Sequence, residues 1–404
     1  MDDFLYAERA DRVSLCTDHR PYIRIPARGL RGIARVLWTT FSWTTVFLPL
    51  IPMAIAVSKF RWSPDCVFWL NLVALLPLFG AFRYSTEVLS AAASPNVGRV
   101  WDSTLGAFNL DLAIAFIGIW RGQLIFAKSY IVGKVVASTL WSTGVCFVAS
   151  GVRSAESSFD ETMSHTLGNL LATAMVPFAI LSVFPQTENH PPSTSSVLII
   201  SRGSSVVFLT IYSFYQLFRH KTHTAFFDPE LFVDSQDEES SQQRRRPSSD
   251  IRDLGGWVTS VTIIGAATLG YVCSTLALRS MHESTSLTEE VVGFCLIPLL
   301  GEISEITKLS RFAYRDRVDF ALEKAAGLAV QTMLFIGPLL CLFSWSLGQA
   351  MTFRLDLLEL ASLMASIYLF NGILRDGKSN YLEGALCLGL YAIETLALVV
   401  RSRK

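Results

Sequence analysis

Residues 66–82 read CVFWLNLVALLPLFGAF, an uncharged apolar run that stops at Arg83. A bilayer core about 30 Å thick is crossed by roughly 20 mainly apolar residues in a helix, and the run is of that kind. Pro77 inside it leaves one carbonyl without its partner, which predicts a kink. Similar runs lie at about 38–57, 104–120, 129–149, 164–184, 196–218, 257–278, 290–309, 318–343, 355–374 and 381–399. The expected fold is therefore all-α, a polytopic membrane protein of about 11 transmembrane helices. Composition agrees, with 51% hydrophobic and 17% charged residues, against roughly 25% charged in a soluble domain.

Residues 1–35 are polar, mixed in charge and without the pattern of a cleavable signal, so they read as a cytosolic N-terminal tail. Residues 36–218 form a first membrane half, one extra helix plus five. Residues 219–253, with six acids followed by Arg244, Arg245, Arg246 and Pro247, read as a flexible charged linker. Residues 254–400 make a second half of five helices, and 401–404 a short tail. Two five-helix halves after an extra helix predict an inverted repeat, the architecture in which transporters bind at the bilayer midplane. Arg24, Arg28, Arg31 and Arg35 favour a cytosolic start and hence a cytosolic linker. Eleven spans then put the C-terminus on the opposite side, although Arg401, Arg403 and Lys404 weigh against that placement.

A formal net charge of zero offers no electrostatic case for nucleic acid. Seven cysteines without CxxC spacing read as small hydrophobes. No HExxH, P-loop, GxSxG or dinucleotide fingerprint occurs in a supporting context, so an enzyme is not expected. Membrane lipid is the implied partner, and the sequence sets no oligomeric state.

Function is read from charges inside apolar runs. Residues 297–305, IPLLGEISE, place Glu302 and Glu305 three positions apart on one helix face. Such carboxylates are costly at membrane depth unless paired or hydrated, so the face is expected to look into a cavity. Pro298 and Gly301 are expected to break the helix and expose carbonyls for a hard cation. The opposing reading pairs Glu302 with Lys308 or Arg311. In the first half Gly106, Asn109 and Asp111 are the corresponding candidates. Lys134 either neutralises a carboxylate in the same cavity or snorkels to the interface from a later helix start. Gln331, one turn beyond Gly327, suits a pathway or a packed interface.

These residues resemble the calcium/cation exchanger superfamily, and within it the vacuolar calcium/proton exchangers of fungi and plants, over about 41–397. Pro298, Gly301 and Glu305 fit the second family signature, roughly PIxGNAAEH, with Glu302 and Ile306 replacing its asparagine and histidine. Asp319, Gly327, Gln331, Phe335, Pro338 and residues 347–349 continue the match, and 376–384, DGKSNYLEG, closes it. In the first half Trp62, Ser63, Pro64, Asn71, Pro77, Thr86 and Glu87 fit, as do 151–153 and 201–203. The first signature, roughly FGNAxE, departs: Leu110 takes the glutamate position and Asp111 falls one place late. Lys134, Ser138 and Thr275 replace a family serine, asparagine and glutamate.

The resemblance implies that one central acid per half alternately binds Ca²⁺ and H⁺. Glu305 takes the second-half role, and Asp111 the first-half role if helix rotation or a bulge compensates for its shift. Glu302 then supplies the charge missing at Leu110. Ser138 and Glu87 complete the candidate pathway, with Glu305, Glu302 and Asp111 as cation ligands. No resident cofactor is expected, since the cation and the proton are substrates. The expected function is antiport of a cation, Ca²⁺ first, against protons in a vacuolar or other acidic organelle membrane. The alternatives are exchange of Mn²⁺ or a monovalent ion, or a transport-inactive scaffold or regulator.

Overall fold

In a computed structural model the protein is described over residues 47–60, 62–92, 110–187, 194–223, 256–283, 288–315 and 317–402. Long apolar runs become helices because each backbone polar group in hydrocarbon must find its partner within the segment. In chain order they are α1 (Leu50–Lys59), α2 (Pro64–Ala92), α3 (Leu110–Trp120), α4 (Leu124–Gly151), α5 (Glu161–Thr187) and α6 (Thr194–Leu217). The second half holds α7 (Gly256–Glu283), α8 (289–314), α9 (Val318–Ser346), α10 (Leu357–Ile373) and α11 (Tyr381–Ser402).

Among the described residues eight helices are long and apolar enough to cross a membrane. The chain is thus the multi-pass, all-α protein expected, while the count of eleven spans is not confirmed. Helix α1 has 10 residues and α3 has 11. Helix α8 carries Glu302, Glu305, Lys308 and Arg311, which take it out of the plainly apolar class. Helix α2 passes through Pro77 without ending, and Pro64 opens it, where a missing N–H costs nothing.

Three helices widen into a π turn in mid-course: α4 at Ala137–Ser142, α8 at Val292–Leu296 and α9 at Thr332–Ile336. Such a turn inserts a residue and rotates the side chains beyond it about the helix axis. The expected break at Pro298 and Gly301 does not occur. Pro298 sits in the first turn after the widening, where its ring is tolerated, and Gly301 remains helical.

Glycines set the helix crossings. A Cβ at Gly133 on α4 would lie 2.0 Å from the Phe294 carbonyl oxygen of α8, and one at Gly293 on α8 would lie 2.7 Å from the Phe126 oxygen of α4. The two backbones meet through reciprocal glycines, as small residues permit in membranes. Gly144 and Gly384 do the same for α4 and α11, each facing the other's carbonyl oxygen at 3.0 and 2.8 Å from a built Cβ.

The DGKSNYLEG stretch has a structural reading. Gly377 adopts φ 65°, the left-handed conformation that glycine enters without penalty. The following Lys378–Ser379 strand, β2, pairs antiparallel with β1 (Ser157–Ser158). Asn380 caps α11, its Oδ1 accepting from the N–H groups of Leu382 and Glu383 at 3.0 Å each, and Glu383 reaches back to the Asn380 N–H at 3.3 Å. That is a capping box, and it seats the last helix. On the first-half side Asp160 caps α5 through the Met163 N–H at 2.7 Å, and its own N–H donates to Asp319 of α9 at 2.8 Å.

Candidate functional site

Helices α3, α4 and α8 converge where Gly301 leaves room. A Cβ there would lie 2.8 Å from Asp111 Oδ2 and 3.4 Å from Lys134 Nζ, so the glycine admits a charged cluster against the α8 backbone. Lys134 Nζ lies 2.8 Å from Asp111 Oδ2 and 2.9 Å from Glu302 Oε1. Ser138 Oγ donates to Glu302 Oε1 at 3.1 Å and to the Lys134 carbonyl at 2.8 Å. Ser142 Oγ donates to Glu302 Oε2 at 2.7 Å. Lys134 is 3% exposed and Asp111 and Glu302 are 0% exposed. At that burial unpaired ions would be very costly, and bridging plus hydrogen bonding offsets the desolvation.

Lys134 therefore does not snorkel. Helix α4 starts at Leu124, earlier than the apolar pattern marks, so the lysine lies well inside the helix and is buried against its neighbours. Glu302 does not pair with Lys308 or Arg311, because its carboxylate points to α4. Glu305, one turn on, turns instead to α2, where Arg83 Nη2 lies 2.5 Å from its Oε2. Arg83 is the residue that sequence reasoning missed. It looked like the end of a span, whereas α2 continues to Ala92 and carries it inside.

Leu110 and Asp111, neighbours at the start of α3, face different helices. Leu110 turns to α7, where a Cβ at Gly270 would meet its methyl groups at 2.5 and 2.8 Å. Asp111 then faces Lys134, with Oδ1 accepting from the Leu112 N–H at 3.0 Å. Gln331 is buried on α9 at the edge of its widened turn, and beside Gly327 a Cβ would find nothing within 4 Å. Gly106 and Asn109 lie outside the described residues, as does the side chain of Glu87.

Chemically, the assembly holds three carboxylates against two cations, a formal charge of −1. Among the described residues no group of three or more His, Cys, Asp or Glu side chains is arranged to hold a metal ion. The space between Asp111 and Glu302 is taken by the Lys134 ammonium.

Residues 258–400 match the family model described as sodium/calcium exchanger protein. The chain is 27% identical over 395 residues to the vacuolar calcium ion transporter of Schizosaccharomyces pombe, covering 96% of this chain and 92% of that one. It is 29% identical over 380 residues to vacuolar cation/proton exchanger 1a of Oryza sativa subsp. japonica, covering 92% and 83%. The solved structure of the selenium-substituted Ca²⁺/H⁺ antiporter protein YfkE superposes with a TM-score of 0.70 at 20% identity, covering 91% of this chain and 99% of that one, which shows a shared fold. Residues 258–400 thus match a model of sodium/calcium exchanger proteins, and along most of its length the chain is similar to proteins named as vacuolar calcium and cation/proton exchangers.

Proposed function

We propose that the protein exchanges a cation for protons across an organelle membrane, with Asp111, Glu302 and Glu305 as the acids of the pathway. The observation that carries this is the buried Asp111–Lys134–Glu302 bridge where α3, α4 and α8 converge, with a second pair one turn away in which buried Glu305 meets partly buried Arg83. Charges so expensive in hydrocarbon are the mark of an ion route. Ca²⁺ is the first candidate, since similar proteins are named calcium or cation/proton exchangers. Their names also favour the vacuolar membrane.

In this reading Lys134 is a tethered cation that holds the place of the substrate. Ca²⁺ prefers six to eight oxygens. Asp111, Glu302, Ser138 and Ser142 supply part of such a set once the ammonium withdraws. Alternating access then amounts to exchanging the ammonium and protons for the ion. Transport rather than catalysis is the activity proposed.

One observation favours a second reading. All three acids already have cationic partners, an arrangement that also suits a static scaffold. Uptake into sealed vesicles of purified protein under an imposed pH gradient, with Ca²⁺, Mn²⁺, Na⁺ and K⁺ in turn, separates the two. Gradient-driven uptake that disappears in Glu305→Gln supports exchange and identifies the ion. Folded protein that moves none of the four gives the scaffold the lead.

A further inference from the structure

Six acids are buried in the described membrane helices: Asp111, Glu302, Glu305, Glu323, Glu359 and Glu394. Four of them face a cation, Asp111 and Glu302 at Lys134, Glu305 at Arg83 and Glu323 at Arg219. Glu359 accepts a hydrogen bond from Ser129. Glu394 differs from all five. It is 6% exposed, in the second half of α11, and both carboxyl oxygens are buried with no hydrogen-bond partner among the described residues.

An ionised carboxylate without counter-ion or donor is not tolerated in hydrocarbon, so such a group holds a proton. The titratable groups on the packed elements do not change this. Glu290 on α8 is engaged by Arg401, Glu302 by Lys134, and Glu359 by Ser129. Cys295 on α8 and Cys146 on α4 are free thiols. Inward along α11 comes Tyr391, which lies in electrostatic range of both Glu394 and Glu302 and packs on Trp141 of α4 at 5.6 Å between ring centroids. Trp141 adjoins Ser142, a donor to Glu302. Outward, α11 ends where Arg401 meets Glu290 and Asp356 at the membrane edge.

We propose that Glu394 is a resident proton site of α11, held as the neutral acid at rest, and that it supplies protons exchanged for the cation. The second half of this statement rests on the exchanger reading above. Asp111, Glu302 and Glu305 each face a cation, whereas Glu394 has none among the described residues, so it can add a proton-binding group to those acids. Glu394 is buried with neither counter-ion nor donor among the described residues, and it stands on α11 between Tyr391 and the Arg401 end.

The test uses purified full-length protein in phosphatidylcholine vesicles and dicyclohexylcarbodiimide, an apolar reagent that adds to protonated carboxyls in hydrocarbon. The carboxyl proton passes to a reagent nitrogen, the carboxyl oxygen bonds to the central carbon, and acyl migration leaves a stable N-acylurea located by peptide mass mapping. The expected result is an adduct on Glu394 and none on Asp111, Glu302 or Glu305, with a yield falling about tenfold between about pH 6 and pH 10 as the acid ionises. No adduct on Glu394, or a yield independent of pH, overturns the proton site. Glu394→Gln keeps the shape of the side chain, and Glu394→Leu serves if it fails to fold. In either, gradient-driven cation uptake should fall about tenfold, whereas uptake equal to that of the parent overturns the coupling role. If the parent itself transports nothing, the exchanger reading fails and with it the coupling role, while labelling alone decides the proton site.

Discussion

The ammonium of Lys134 lies 2.9 Å from Glu302 Oε1, tying α4 to α8 through a bond in which neither side chain reaches solvent. Asp111 shares the same ammonium, so one lysine neutralises charge from two helices that belong to different halves of the chain. Glu302 keeps both oxygens engaged, one by Lys134 and Ser138 and the other by Ser142.

Removing the ammonium exposes what it holds. In Lys134→Met two buried carboxylates lose their cation, and breaking such a pair costs about 3–5 kcal/mol. The melting temperature in detergent should fall well below that of the parent at pH 8. The gap should narrow when Glu302→Gln is added, because one uncompensated charge then disappears. A gap that does not change with the second substitution would mean that the loss is one of packing alone.

The same bridge predicts an affinity change. Lys134→Ser takes the cluster from a formal charge of −1 to −2 and clears the space between Asp111 and Glu302. Equilibrium binding of radioactive Ca²⁺ to purified protein should tighten by about tenfold, equivalent to about 1.4 kcal/mol. Unchanged or weaker binding would show that Lys134 does not occupy the ion's place.

Arg83 and Glu305 form a second test by difference. Arg83→Met leaves buried Glu305 uncompensated and should lose about 3 kcal/mol of stability, while Glu305→Gln leaves the partly buried Arg83 and should lose less. The double variant should lie closer to the parent than the sum of the two, with a coupling of at least about 1 kcal/mol in a thermal-melt cycle. Additive losses would mean that the 2.5 Å contact does not contribute.

Three glycines should respond in a fixed order. Gly133→Ala drives a methyl to 2.0 Å from a backbone oxygen of α8 and should yield no monodisperse protein on size exclusion. Gly301→Ala meets Asp111 at 2.8 Å, a side chain that can give way, and should fold with about 1–3 kcal/mol lost and the cluster displaced. Gly327→Ala enters open space and should behave as the parent. A silent Gly133→Ala would contradict the close crossing of α4 and α8.

The sequence by itself determined the membrane class, the helical runs of both halves, and the acids Asp111, Glu302 and Glu305 as the chemistry to explain. Those are legible because hydrocarbon imposes a length and an apolarity on each span and makes each interior charge conspicuous. The partners of those charges were decided only by the tertiary structure. Lys134 is drawn inward because α4 starts a turn earlier than its apolar pattern, and Arg83 because α2 runs on past the end of its apolar run. Asp111 meets Lys134 while Leu110 beside it turns to α7. Each of these depends on how far a helix continues and how it is turned against neighbours far away in the chain, which the local apolar pattern does not encode.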